Sequence, residues 1–458
     1  MTFSRTPHHH SLQMTQLKQA LTKFDLTMIA IGSTIGSVIF LTPSGIAHEL
    51  QTPWLVLAVW VVGGLMAIAG ALTFAELGGL MPGAGGVYVY LSEAYGGLFG
   101  FLYGWAYLLV VNTGGVAALS IAFATYFGYF VPLDDVGIKL AAIAGLCIVT
   151  VLNVLGVKVG GIFSDVFTLL KVAGILLLIT VGLGWGSSHT TNFSASLGDY
   201  SNGLGSALAV AMVGVLWSYG GWQHASFAAA EAKDPKRTVP FAMIVGALVV
   251  TAIYLLTNLA YLFLLPPTAI GTSQRVAADA ISVVLGGVGG SIIAIAIFIS
   301  TFGTAGIYTL TAPRIYFAMA NDGVFFKNVA EVHPTFQTPA VAIIIQSVWV
   351  VVLILFWGTF DKLISYVVFT DWIFFGLTAA SIFVFRKKKP NAGRPYKTFG
   401  YPFTPIFFIA IAAWFVFKTL FEKPEQAIAG LAFLALGVPV YYVWRAKNRS
   451  HASIDLKG

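Results

Sequence analysis

The chain has 458 residues, of which 58% are hydrophobic and 9% charged, with a mean hydropathy of +0.85. That balance excludes an ordinary soluble domain, which carries far more charge, and places the chain among polytopic membrane proteins. The net charge of +7 does not indicate nucleic acid, because the basic residues sit in short loops between apolar runs, where they set membrane orientation.

Residues 1–23 form a polar tail without the apolar core of a signal peptide. The run His8, His9 and His10 within it reads as a solvated tail or tag remnant rather than a metal site. From Phe24 to Trp444 the sequence predicts twelve apolar helices, each of about 18 or more residues and therefore able to cross roughly 30 Å of hydrocarbon. Span 1 covers about 25–47 and span 2 about 54–80, with Pro53 in its first turn. A Gly-rich connector, 82–86, leads into a short amphipathic stretch ending at Tyr95. Span 3 is 97–130. Asp134 and Asp135 mark the loop before span 4, 137–155, which contains the one cysteine, Cys147; a disulfide framework and a CxxC metal site are thereby excluded. Span 5 is 161–184, followed by a polar loop, 187–202. Span 6 is 203–230, and a basic loop, 232–240, precedes span 7, which ends near Leu265. Span 8 is 284–319, span 9 ends near Trp357, and span 10 is 362–385, closed by the basic run 386–389. Spans 11 and 12 are 403–421 and 428–444.

With both termini cytoplasmic, only Lys139, Arg275, Lys362, Lys418 and Lys423 of the 25 Lys and Arg fall at the outer face, a strong positive-inside bias. An odd number of spans scrambles that asymmetry.

Span 1 contains IAIGSTIGSVIFLTPSG (Ile29–Gly45), where Gly32, Ser33, Thr34, Gly36 and Ser37 interrupt a helix that lipid otherwise demands. Span 6 contains LWSYGGWQHASF (Leu216–Phe227), about 185 residues later. Unpaired backbone groups cost several kcal/mol in hydrocarbon, so such breaks survive only where protein or a ligand takes up the freed groups. Small residues also let helices pack closely, but two breaks at the first position of each half, spans 1–5 and 6–10, fit the inverted repeats of a transporter with a midplane site. The organisation expected is a tail at 1–23, a first repeat at 24–184, a second at 203–386, accessory helices at 402–446 and a cytoplasmic tail at 447–458.

The outer half of span 1 begins at the break, so its free amides, Ser37, Val38 and Ile39, carry about half a positive charge and suit an anion. The carbonyls of Thr34, Ile35, Trp217, Ser218 and Gly220 suit a cation. Together these ends fit the carboxylate and ammonium of an α-amino acid. Trp217 immediately precedes the second break and is placed to swing across the site, whereas Tyr219 and Trp222 read as core packing. Gln223 and His224 are polar residues of span 6, and His224 reads as hydrogen-bonded packing. The lack of a buried carboxylate near the breaks weighs against cationic substrates; Glu76 and Asp371 lie in or beside spans. Lys171 sits mid-way through the apolar run VFTLLKVAGILLLITVGL, where a lysine costs roughly 2.5–3.5 kcal/mol unless paired. It is either a tie to carbonyls of a neighbouring helix, or an ammonium that replaces a bound sodium ion or titrates. Lys158, at the start of that span, reads as interfacial.

The segments IGSTIGSVIFLTP, FAELGGLMPGAGGVYVYLSEAYG (Phe74–Gly96), LWSYGGW, TNLAY (Thr257–Tyr261) and RPYKTFGYP (Arg394–Pro402) resemble the amino acid, polyamine and organocation (APC) superfamily, and within it the L-amino acid transporter (LAT) family. The resemblance spans nearly the whole chain. It implies an all-α membrane protein of LeuT type, with a five-plus-five inverted repeat and helices 1 and 6 broken, that exchanges amino acids without sodium. It further implies that the first break, including Gly36, and the second, including Gly221, hold substrate, that Trp217 is an aromatic gate, that Lys171 stands near a vacated sodium site, and that Tyr308 lines the pocket. Three departures stand out: Val38 replaces a usual glycine, the connector lacks charged residues around its GG, and the loop between spans 3 and 4 has no cysteine. The last implies a prokaryotic-type, stand-alone member with no disulfide-linked heavy chain.

The expected function is antiport of neutral L-amino acids in the plasma membrane by alternating access, with no cofactor or metal. The alternatives are a proton-coupled symporter of the same fold, with Lys171 titrating, and a channel or sensor. An enzyme is unsupported, since no HExxH, paired intramembrane aspartates or GxSxG with a catalytic histidine is present.

Overall fold

A computed structural model describes residues 17–185, 193, 200, 203–356, 360–422 and 424–454, the side chains of 360–368, 422, 426 and 448–454 excepted. The His8–His10 run, most of the loop 187–202, Lys423 and the end of the C-terminal tail lie outside the described residues, as does the side chain of Lys362.

Among the described residues the chain is helical throughout; one isolated parallel bridge pairs Leu21 with Ala232. The helices in order are α1 (Lys23–Thr34), α2 (Val38–Leu50), α3 (Pro53–Leu80), α4 (Val87–Tyr95), α5 (Gly97–Ala106), α6 (Asn112–Phe127), α7 (Asp135–Val154), α8 (Val157–Trp185), α9 (Leu204–Ser218) and α10 (His224–Phe227). They continue with α11 (Pro235–Leu264), α12 (Pro267–Thr272), α13 (Val276–Leu285), α14 (Gly287–Thr311), α15 (Pro313–Asn321), α16 (Ala340–Phe356), α17 (Phe360–Lys388), α18 (Phe403–Glu422) and α19 (Pro424–Ile454). A π-helical turn, Tyr107–Val111, joins α5 to α6.

Local sequence explains the ends. Thr22 and Asp25 form a reciprocal capping box at the start of α1, and Asp134 caps α7 through the amide of Gly137. Pro53 opens α3 at a position where a missing N–H costs nothing.

Among the described residues, ten helical segments are long and apolar enough to cross a membrane: 23–50, 53–80, 97–127, 135–154, 157–185, 235–264, 287–321, 369–388, 403–421 and 427–447. Two of the twelve expected spans are shorter helices. Leu204–Ser218 has 15 residues because the second break cuts it short, and Ala340–Phe356 has 17. Span 8 also differs from expectation at its start, since α14 begins at Gly287 rather than near Val284. Gly286, at φ 59°, turns the chain there, and the residues before it form the separate helix α13.

Charge and apolarity are sorted as lipid demands. Leu65, Leu140, Ile148, Ile162 and Leu169 are each more than half exposed, whereas Lys171, Glu231 and Arg314 are fully buried. In the centre, α1 packs against α8, α11 and α14, while α2 packs against α9. The two interrupted runs thus sit inside a cage of longer helices.

Candidate functional site: a cavity between two helix interruptions

The first interruption is the stretch Ile35–Ser37 between α1 and α2; the second is 219–223 between α9 and α10. They touch. Gly221 lies at φ 132°, and a Cβ there would stand 2.6 Å from backbone atoms of Ser33 and Thr34, so only glycine fits. The Ser33 hydroxyl donates to the Gly221 carbonyl at 2.8 Å, joining the two runs directly.

Most of the carbonyls freed at the end of α1 are already bound. Lys171 Nζ donates to the carbonyls of Gly32 and Ile35, each at 2.9 Å, and to Thr304 Oγ1 at 2.7 Å. The Ser300 hydroxyl donates to the Gly36 carbonyl and the Tyr254 hydroxyl to that of Thr34, both at 2.9 Å. This corrects the expectation that Thr34, Ile35 and Trp217 offer open carbonyls to a cation: α8, α11 and α14 supply the donors to the first two, and the Gly220 amide donates to the Trp217 carbonyl at 3.3 Å. Among the described residues, no hydrogen bond reaches the carbonyls of Ser218 and Gly220, nor leaves the amides of Ser37, Val38 and Ile39. These amides and carbonyls are therefore left open at the helix ends.

A cavity of about 40 Å³ lies between the interruptions. Of the expected site residues, Thr34, Gly36, Ser37, Val38, Trp217, Gly220, Gly221 and Tyr308 line it, while the side chains of Ile35, Ile39 and Ser218 do not. Lys171 stands behind the lining, against the end of α1. Trp217 also borders a cavity of about 640 Å³ between α2, α9 and the segment 271–274, so its ring separates the small cavity from a wide vestibule. The segment before α1 is pinned to the segment after α10. The amides of Ala20 and Leu21 donate to the Glu231 carbonyl at 2.9 Å, Lys233 N–H donates to Leu21, and Arg314 makes a two-pronged ion pair with Glu231 at 2.7 Å.

Tyr219 and Trp222 pack in the core, against Trp60 and Phe74 respectively. Both ring nitrogens of His224 are engaged, Nδ1 with Thr311 Oγ1 at 2.6 Å and Nε2 with the Tyr107 hydroxyl at 3.0 Å, and the ring stacks on Tyr308 at 4.2 Å. Glu76 is bound by Arg386, Arg394 and the Thr398 amide, far from any role in the cavity. Sequence reasoning missed the wall facing the interruptions: Tyr107 and Asn112 on one side and Asp371, Trp372 and Phe375 on the other. The absence of a carboxylate near the site is thereby corrected, because Asp371 lines the cavity. The available signals were the polar run NTGG after an apolar stretch and one aspartate inside another.

A family model described as "Amino acid permease" matches residues 21–443. The chain belongs to the amino acid permease family. This places the permease in the APC superfamily that its motifs resemble, and makes it a multi-pass membrane protein of amino acid transport. It is 32% identical over 435 residues to a serine/threonine exchanger of Bacillus subtilis, covering 93% of this chain and 97% of that relative. It is 31% identical over 441 residues to the large neutral amino acids transporter small subunit 2 of Homo sapiens, covering 92% and 80%. The human cystine/glutamate transporter is 29% identical over 447 residues, covering 95% and 87%. The permease thus shares its length with exchangers and transporters of several amino acids.

Proposed function

We propose that this permease is a sodium-independent antiporter of neutral L-amino acids, working by alternating access in the plasma membrane with both termini cytoplasmic. The observation that carries the reading is Lys171. Its ammonium is held by three oxygens, two carbonyls at the broken end of α1 and one hydroxyl of α14, the hard-oxygen surroundings that suit a sodium ion. A chain that carries its own cation there has no need of a dissolved one.

Adding Leu204–Ser218 and Ala340–Phe356 to the ten long segments gives twelve crossings, with α1–α2 and α9–α10 opening two halves of five crossings each, 24–184 and 203–386. In that frame the wide vestibule faces outward, Trp217 is the outer gate, and the Glu231–Arg314 pair with residues 20–21 closes the inner side. The substrate carboxylate meets the amides of Ser37, Val38 and Ile39, and the ammonium meets the carbonyls of Ser218 and Gly220. A cavity of about 40 Å³ holds roughly three water molecules, which favours a small amino acid over an aromatic one. The permease acts without a disulfide-linked heavy chain, since its one cysteine, Cys147, is on α7 rather than in a loop.

The test is competition by the twenty amino acids against labelled alanine uptake into proteoliposomes preloaded with alanine, in sodium and in choline buffer. The reading predicts inhibition by small neutral L-amino acids and equal rates in both buffers; dependence on sodium overturns it.

A further inference from the structure

The cavity has two unlike walls. One is the backbone of the two interruptions, which supplies the groups a zwitterion needs. The other is built by α6 and α17, which pack against each other. An amino acid held by its α-carboxylate and α-ammonium on the first wall has its side chain left to face the second.

That second wall holds polar atoms with nothing to bind. Asn112 is 1% exposed, yet both its Oδ1 and its Nδ2 lack a hydrogen-bond partner; Oδ1 of Asp371, lining the same cavity, also lacks one. Leaving such a group unsatisfied costs about 1–3 kcal/mol, and native interiors rarely tolerate it without a reason. Here three such atoms belong to one wall of a small cavity. The backbone before Asn112 is also unusual. The π-helical turn Tyr107–Val111 inserts an extra residue and shifts the face that α6 presents. The turn is held by the Thr113 hydroxyl on the Leu108 carbonyl at 2.6 Å and the Trp349 indole on that of Leu109 at 3.0 Å.

We propose that Asn112 and Asp371 form a subsite that reads the substrate's side chain and selects a short hydroxyl-bearing one over its apolar isostere. A hydroxyl donates one hydrogen bond to a carboxylate or amide oxygen and accepts another from the Asn112 Nδ2–H, so one group answers donor and acceptor together. A methyl group satisfies neither. An ammonium has only donors and leaves Nδ2 unmet, and a carboxylate is repelled by Asp371. The proposal rests on the reading above that this cavity binds an amino acid.

The experiment is exchange of labelled alanine in proteoliposomes, inhibited by two isosteric pairs, serine against 2-aminobutyrate and threonine against valine, and by 2,3-diaminopropionate. For the unmodified chain each hydroxyl compound inhibits about tenfold more tightly than its apolar isostere, and more tightly than diaminopropionate. In Asn112→Leu and in Asp371→Asn the threonine-to-valine ratio falls at least threefold, each ratio being taken within one variant so that a change in alanine affinity cancels. Asp371→Asn changes shape least and guards against a folding failure of Asn112→Leu. Equal inhibition by threonine and valine in the unmodified chain, a ratio unchanged in either variant, or tighter inhibition by diaminopropionate than by serine overturns the inference. Loss of all amino acid exchange by the unmodified chain contradicts the transport reading instead.

Discussion

The ammonium of Lys171 lies 2.9 Å from the carbonyl oxygen of Ile35, at the point where α1 stops being a helix. A helix that ends inside a membrane must hand its last carbonyls to some donor, and here a fully buried lysine of α8 is that donor. Replacing Lys171 with methionine keeps an unbranched side chain, one atom shorter, and removes three hydrogen bonds. Bonds to a charged group contribute about 1.5–3 kcal/mol each, so we expect at least a tenfold fall in exchange rate per folded molecule, measured against protein recovered as a monodisperse peak.

The contact between the two interruptions gives a sharper contrast. Gly221→Ala places a methyl 2.6 Å from backbone atoms of Ser33 and Thr34, which no side-chain rotation relieves. Gly220→Ala meets only the Trp217 and Leu216 carbonyls, at 3.6 and 4.0 Å. Thermal unfolding in detergent should show the first destabilised by more than about 3 kcal/mol and the second by less than about 1 kcal/mol.

The Glu231–Arg314 pair should behave as a buried couple. Both side chains are fully buried, so Arg314→Met alone strands a carboxylate and is expected to cost about 3–5 kcal/mol. Combining it with Glu231→Gln should cost clearly less than the two single changes summed. A double-mutant cycle on thermal stability checks this, and strict additivity would refute the coupling.

Trp217 borders both the small cavity and the vestibule. Trp217→Ala merges them, so the apparent affinity for alanine should weaken about tenfold while overall stability changes little. Concentration dependence of exchange together with a melting curve separates the two effects.

How much of this was legible in sequence depends on how local each signal is. Lys171 announced itself because a charge in an apolar run is costly wherever the run lies. The first interruption was legible because Gly32, Ser33, Thr34, Gly36 and Ser37 lie within six consecutive residues. Asn112 and Asp371 were not, since facing the cavity depends on how α6 and α17 pack, and the π-helical turn at 107–111 shifts the face that a regular 3.6-residue period assigns. The carbonyls of Thr34 and Ile35 were misread for a related reason: their donors, Tyr254, Lys171 and Thr304, come from three separate helices. Helix α13 went unexpected because its ten residues are too few to cross a membrane, and the positive φ of Gly286 divides them from α14.

The most direct test of the central claim, that the cavity between the interruptions moves a zwitterion only in exchange for another and without sodium, is counterflow. Purified permease in liposomes, in sodium-free buffer without a pH gradient, should accumulate labelled alanine when the vesicles are preloaded with unlabelled alanine, and take up almost none when they are empty. Equal uptake by empty and loaded vesicles, or uptake that appears only with an imposed sodium or proton gradient, would contradict it.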